Sequence, residues 1–215
     1  MVRHRVQIRF SKTGNLRYIG HRDLLRSVER LLRRTQLPIA MSEGFHPKMR
    51  MSFPSALALG VAGNNEVFEL DLTESLTVQE IIKRLNQAAC NGLQFLFAKE
   101  VIVRRKRAVL FASVYEMALP ENTVKQTEQK IQEFLSQTSF TVVKHNGISV
   151  DARSVVEELA IIDDQTLRMK LTVTRGADAG FREVLEVLRL KDQLFRTIFP
   201  VRTHVLLCEE QNGNL

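Results

Sequence analysis

The chain has 215 residues, 44% hydrophobic and 26% charged, close to globular averages and unlike a disordered, collagen-like or membrane-spanning chain. No apolar run approaches the ~18 residues of a membrane span, and the basic start MVRHRVQIRF leads into no apolar signal segment, so a cytoplasmic location away from membranes is expected. The net charge of +7 is lopsided: residues 1–53 hold 12 Lys and Arg, ten of them Arg, against Asp23, Glu29 and Glu43, whereas the remainder is slightly acidic.

Val2, Val6, Ile8 and Phe10 alternate with Arg3, Arg5, Gln7 and Arg9, which predicts a strand with one wet, cationic face. The turn residues Thr13, Gly14 and Asn15 lead into a predicted helix over 21–35. Its apolar stripe is Leu24, Leu25, Val28, Leu31 and Leu32, leaving Arg22, Arg26, Arg30 and Arg33 or Arg34 stacked at spacings of three and four. A turn region at 42–47 precedes a predicted strand from Met49 into Leu59, and Glu66 to Leu72 alternates again. Thr77 reads as the cap of a helix to Ala88, with Glu80 as its box partner, and a strand over 95–103 follows. Strand, helix, strands, helix, strand is close to a ferredoxin-like plan with an added hairpin.

The basic run at 104–107 reads as a junction. Beyond it come a strand at 110–119, a helix at 121–137 with Val124, Ile131, Phe134 and Leu135 inward, and a hairpin around Asn146-Gly147. Strands at 159–162 and 167–173, a helix at 180–189 and a strand at 201–208 complete it, and 209–215 reads as a frayed tail. The expected fold class is therefore α+β, two ferredoxin-like β-α-β-type halves with antiparallel sheets. A basic half at 1–107 would bind RNA and a second α+β half at 108–215 would dock.

Arginine pairs bidentately with phosphate and stacks on bases, so RNA is the leading partner for the basic half. An anionic membrane or an acidic protein surface is the rival. A run of like charges on a helix costs a few tenths of a kcal/mol per pair, which points to an absent anion. The candidate binding residues are Arg17, His21, Arg22, Arg26, Arg30, Arg33, Arg34, Lys48 and Arg50. His21 would contact phosphate at the helix N-terminus or act as an acid or base; alternatively His21 or Asp23 caps the helix. Gly44 with Phe45 would be a nest and stacking platform for a base, or a turn glycine beside an aromatic whose expected place is the core. Two cysteines, Cys90 and Cys208, are too few for a disulfide framework or a Cys-only metal site, and no phosphate-loop, dinucleotide or zinc motif occurs, so no metal or cofactor is expected. Any catalysis would be metal-free acid–base work by His21 or His46 with Tyr18 or Lys48 assisting.

The segment Arg9, Phe10, Lys12, Gly14, Leu16 to Asp23, with Arg26, Arg33, Arg34, Leu37, Pro38, Ser42 and Gly44 to Phe53, resembles the domain of unknown function numbered 2344, the radical SAM-linked family. The match is dense through Leu59, Gly60 and Glu66 and looser after it, at Val150 to Arg153 and near Arg202. The resemblance implies an accessory role beside a radical SAM enzyme. That enzyme would be a separate chain, because no CxxxCxxC is present to hold a [4Fe–4S] cluster. Gly20 stands where the family usually has serine. The resulting expectation is an RNA-binding accessory protein acting with a radical SAM enzyme in RNA modification. The alternatives are a metal-independent endoribonuclease of paired ferredoxin-like plan and a docking module without RNA contact.

Overall fold

In the computed structural model, which describes residues 4–103, 106–173 and 179–208, the first elements are β1 (His4–Lys12), α1 (His21–Arg34), β2 (Met51–Ser52), β3 (Ala62–Leu72), α2 (Val78–Ala88) and β4 (Leu93–Val101). The strands lie in the order β4-β1-β3-β2, every neighbouring pair antiparallel. This is the ferredoxin-like order. Alternation drives it: Val6, Ile8 and Phe10 of β1 and Phe68, Leu70 and Leu72 of β3 share one face. On them pack Leu24, Val28, Leu31 and Leu32 of α1 and Ile81 and Leu85 of α2. Phe10, Phe53, Phe68 and Phe95 meet there ring to ring.

The ends of the helices follow local chemistry. Thr77 caps α2, its hydroxyl accepting from the Glu80 amide, while the Glu80 carboxylate turns forward to accept from Arg84 at 2.7 Å instead of closing the expected box. That hydrogen bond holds Glu80 below its ordinary pKa. The C-terminal ends of the two helices are tied by exchanged arginines. Arg34 of α1 donates to the carbonyl of Ala88, the last residue of α2, and Arg84 of α2 donates to the carbonyl of Gln36, just beyond α1. Cations there satisfy carbonyls that have no partner within their own helix.

The polar face of β1 is not wet. Register sets Arg5 opposite Asp71 and Gln7 opposite Glu69, and all four are buried. Asp71 accepts from Arg5 at 2.9 Å, Arg50 at 3.3 Å and Arg107 at 2.7 Å. Burial alone raises its pKa, but the Arg5 hydrogen bond, the charges of Arg107 and Arg5 and the Arg50 hydrogen bond outweigh it and hold the carboxyl below its ordinary value. The predicted strand from Met49 into Leu59 shrinks to Met51–Ser52. Most of 37–60 is irregular chain anchored at its start, where Ala40 and Arg50 exchange backbone bonds with Asp71.

By contacts the chain divides into two compact units, Met1–Val109 with Leu207–Leu215 and Leu110–Leu206. The second holds β5 (Leu110–Ala118), α3 (Val124–Leu135), β6 (Thr141–Val143), β7 (Ser149–Asp151), β8 (Val156–Ile162), β9 (Thr166–Thr172), α4 (Phe181–Val187) and β10 (Val201–Leu207). Its strands run β10-β5-β9-β8, with β6 and β7 paired apart as a hairpin. With that hairpin set aside, the connectivity repeats that of the first unit. Leu135 is partly exposed instead of inward, and Thr127 takes a buried place on α3. Arg104, Arg105 and 209–215 lie outside the described residues. No described helix is long and apolar enough to cross a membrane.

Candidate nucleic-acid interface

One helix and one hairpin build the site. Successive residues of α1 advance ~100°, so Arg22, Arg26, Glu29 and Arg33 fall within about 60° of one another, whereas Arg30 and Arg34 turn about 80° and 120° away from Arg22. The expected single stripe therefore splits. Facing the first group is a hairpin whose legs are joined by an antiparallel bridge between Met41 and Met49. The Ser42 amide donates to the Lys48 carbonyl at 2.7 Å, and the Lys48 amide to the Ser42 hydroxyl at 2.9 Å. Between them Gly44 takes φ +114°, a conformation that favours glycine.

The cleft between α1 and this hairpin has a volume of about 370 Å³ and is lined by Arg22, Leu25, Arg26, Glu29, Arg33, Pro47, Lys48 and Met49. Arg22, Arg33 and Lys48 are exposed and have no side-chain hydrogen bond or ion pair among the described residues. Arg26 reaches Asp23 at 3.5 Å, both side chains well exposed. Such a surface pair is worth ~0–1 kcal/mol and yields easily to a stronger anion. Four cations around one carboxylate, Glu29, leave the cleft strongly positive. Arg30 is likewise exposed and has no partner among the described residues, and lies beside the cleft instead of in it.

The other candidates have different surroundings. Arg50 is committed to Asp71. Arg34 belongs to a second depression between α1 and α2, about 780 Å³, with Lys83, Arg84 and Cys90, but its guanidinium and that of Arg84 already serve backbone carbonyls. Arg17 donates to the Tyr18 hydroxyl at 2.6 Å and lies 4.7 Å from the centre of that ring. His21 packs edge-on against Phe53 at 5.7 Å, which in turn stacks on Phe68. Its ring is thus seated at the edge of the aromatic core, while His46 stands exposed on the hairpin. Neither His21 nor Asp23 caps α1. Gly20 is the N-cap and supplies no side-chain bond.

Phe45 overturns its expected place in the core: at 102% relative exposure it is as open as in an extended peptide. It sits at the tip of the hairpin, three residues from Lys48, hence within ~11 Å along the chain. The missed signal was its setting, since Glu43, Gly44, His46 and Pro47 offer no apolar residue at alternate positions to make it part of a buried strand. Arg107, read only as part of a junction, is a member of the buried ion cluster, 3.6 Å from Glu69 and 2.7 Å from Asp71. Among the described residues no group of three or more His, Cys, Asp or Glu side chains is placed to hold a metal ion.

Comparison with known proteins adds one match. The model of a family described as an uncharacterized protein conserved in bacteria (DUF2344) matches residues 5–182, from the first strand into α4. No curated protein matches.

Proposed function

Starting from the chain's membership of the DUF2344 family, we propose that it is an RNA-binding accessory protein that holds RNA in the cleft between α1 and the 41–49 hairpin and works beside a separate radical SAM enzyme in RNA modification. The observation that carries the RNA part is the set of Arg22, Arg33 and Lys48, three cations without a partner among the described residues, converging with Arg26 on one cleft. Like charges brought together in excess of their counterions repel, here four cations about the one carboxylate of Glu29, and a phosphate chain relieves that repulsion while releasing its own counterions. The enzyme partner rests on the family resemblance and on the cysteine content, since this chain has only Cys90 and Cys208 and a [4Fe–4S] cluster of the radical SAM type needs three.

Binding of a labelled oligoribonucleotide measured across salt concentrations tests the RNA part. Four phosphate contacts on a single strand predict a slope of log K against log salt of about −3. Arg22→Gln with Arg33→Gln removes two of them and should flatten the slope by about 1.4, with unchanged thermal stability because both side chains are exposed. An affinity that the double variant leaves intact refutes the proposal. Pull-down with the tagged protein from a bacterial host of the family, followed by iron and sulfide analysis, tests the enzyme partner. Recovery of no cluster-bearing protein counts against that part.

A further inference from the structure

Resting on the RNA reading above, we infer that the ligand is an unpaired segment of RNA whose base stacks on Phe45 while its backbone lies in the adjoining cleft. The argument starts from the cost of the arrangement. A phenylalanine that is fully open to water gives up the burial that ordinarily fixes such a residue, and nothing among the described residues covers its ring. The ring is nevertheless held on a defined support. The hairpin is closed by the Met41–Met49 bridge and by both bonds between Ser42 and Lys48, and its base is fixed to β3 through Ala40, Arg50 and Asp71. An apolar ring mounted at the tip of an anchored hairpin, next to a cationic cleft, offers the two surfaces a nucleotide presents: a flat face and an anionic backbone.

The same pairing selects among nucleic acids. In a duplex the base faces are covered by their neighbours and the wide minor groove offers edges and hydroxyls, so an aromatic ring finds no face to cover. Unpaired bases expose both faces, and aromatic stacking with a basic track is the common solution for holding them without sequence preference. Lys48 joins the two parts, because it lines the cleft and closes the hairpin that carries Phe45. Arg22, Arg26 and Arg33 continue the cationic track along α1. The cleft therefore assigns the phosphates, and the hairpin tip assigns the base.

The test uses the full-length protein with a short mixed-sequence oligoribonucleotide, alone and annealed to its complement, followed by fluorescence anisotropy. The wild type should prefer the single strand. Phe45→Ala should weaken single-strand binding about 5- to 150-fold and change duplex binding little, while Phe45→Trp keeps the preference. Since the residue is fully exposed, neither variant should shift the melting temperature. Full single-strand affinity in Phe45→Ala, together with loss in Arg22→Gln/Arg33→Gln, overturns the stacking inference and leaves the RNA reading standing. Equal single-strand and duplex affinity in the wild type also overturns the inference. No RNA affinity in the wild type above that of an unrelated basic protein sinks both.

Discussion

Replacing Asp71 by Asn tests the claim that the first unit is held by a buried charge cluster. Asp71 is almost fully buried and meets three guanidinium groups, of which Arg5 is 8% exposed at the side chain, against 34% for Arg50 and 30% for Arg107. Arg50 and Arg107 can turn toward water when the carboxylate is lost. Arg5 cannot, so the penalty is that of a buried ion pair that loses its carboxylate, ~3–5 kcal/mol. At ~2–4 °C per kcal/mol for a chain of this size, the melting temperature should fall by about 6–20 °C. Urea unfolding at neutral pH, followed by circular dichroism, gives the free energy directly. The folded carboxyl lies below its ordinary pKa, so the folded state binds fewer protons at this site than the unfolded state. Its stabilisation is present above the ordinary value near 3.8 and drains away as pH falls through the depressed one. Asp71→Asn should therefore also flatten the acid limb of the stability profile. A loss below ~1 kcal/mol with an unchanged acid limb would show that the cluster contributes geometry and little energy.

Three further outcomes follow from single contacts. Gly92→Ala places a Cβ 2.7 Å from the Thr13 carbonyl oxygen at φ +87°; strain of ~1–3 kcal/mol from φ, with the clash added, should lower the melting temperature further than a Gly44→Ala control, which carries φ strain too, at +114°, but has nothing within 4 Å. Thr77→Ala removes the acceptor for the Glu80 amide and should cost ~1 kcal/mol by urea denaturation, with Thr77→Ser restoring most of it. Incubation of the pure protein with RNA in EDTA should leave the RNA intact, because His21 packs on Phe53 and His46 is held on the exposed hairpin; cyclic-phosphate ends that vanish in His21→Ala would instead establish a nuclease.

What the sequence allowed to be read, and what it did not, follows from which interactions are local. Both ferredoxin-like plans were legible because the alternation in β1 and β3 and the helical spacing in α1 and α2 report burial within a few residues. The capping by Thr77 was legible for the same reason. The boundary of the irregular segment was not: Met49 to Leu59 has apolar residues enough for a strand, but Pro54 removes a donor in its middle, and only Met51–Ser52 pairs with β3. The inward side of α3 was misjudged at Leu135 because position on a helix, not hydrophobicity, decides which residues meet the sheet.

The arginines carry the most instructive failure, and it bears on the proposed function. Composition counts charges without saying which are already neutralised, and the same residue type serves two opposite ends here. Arg5 and Arg50 look as available as Arg22 in the sequence, yet Asp71 binds both. The signal existed: β1 offers Arg5 and Gln7 on the face where β3 offers Asp71 and Glu69, so antiparallel pairing of two complementary polar sets was open to prediction from cross-strand rules. On α1 no comparable acids are supplied, apart from Glu29 in the cleft and Asp23 in a weak exposed pair. Where the fold needs a cation it provides the anion within the chain. Arg22, Arg30, Arg33 and Lys48 are given none among the described residues, so the charge that composition assigns to the whole N-terminal segment is concentrated, as free charge, on α1 and the hairpin beside it, with Arg22, Arg33 and Lys48 in the cleft and Arg30 at its side.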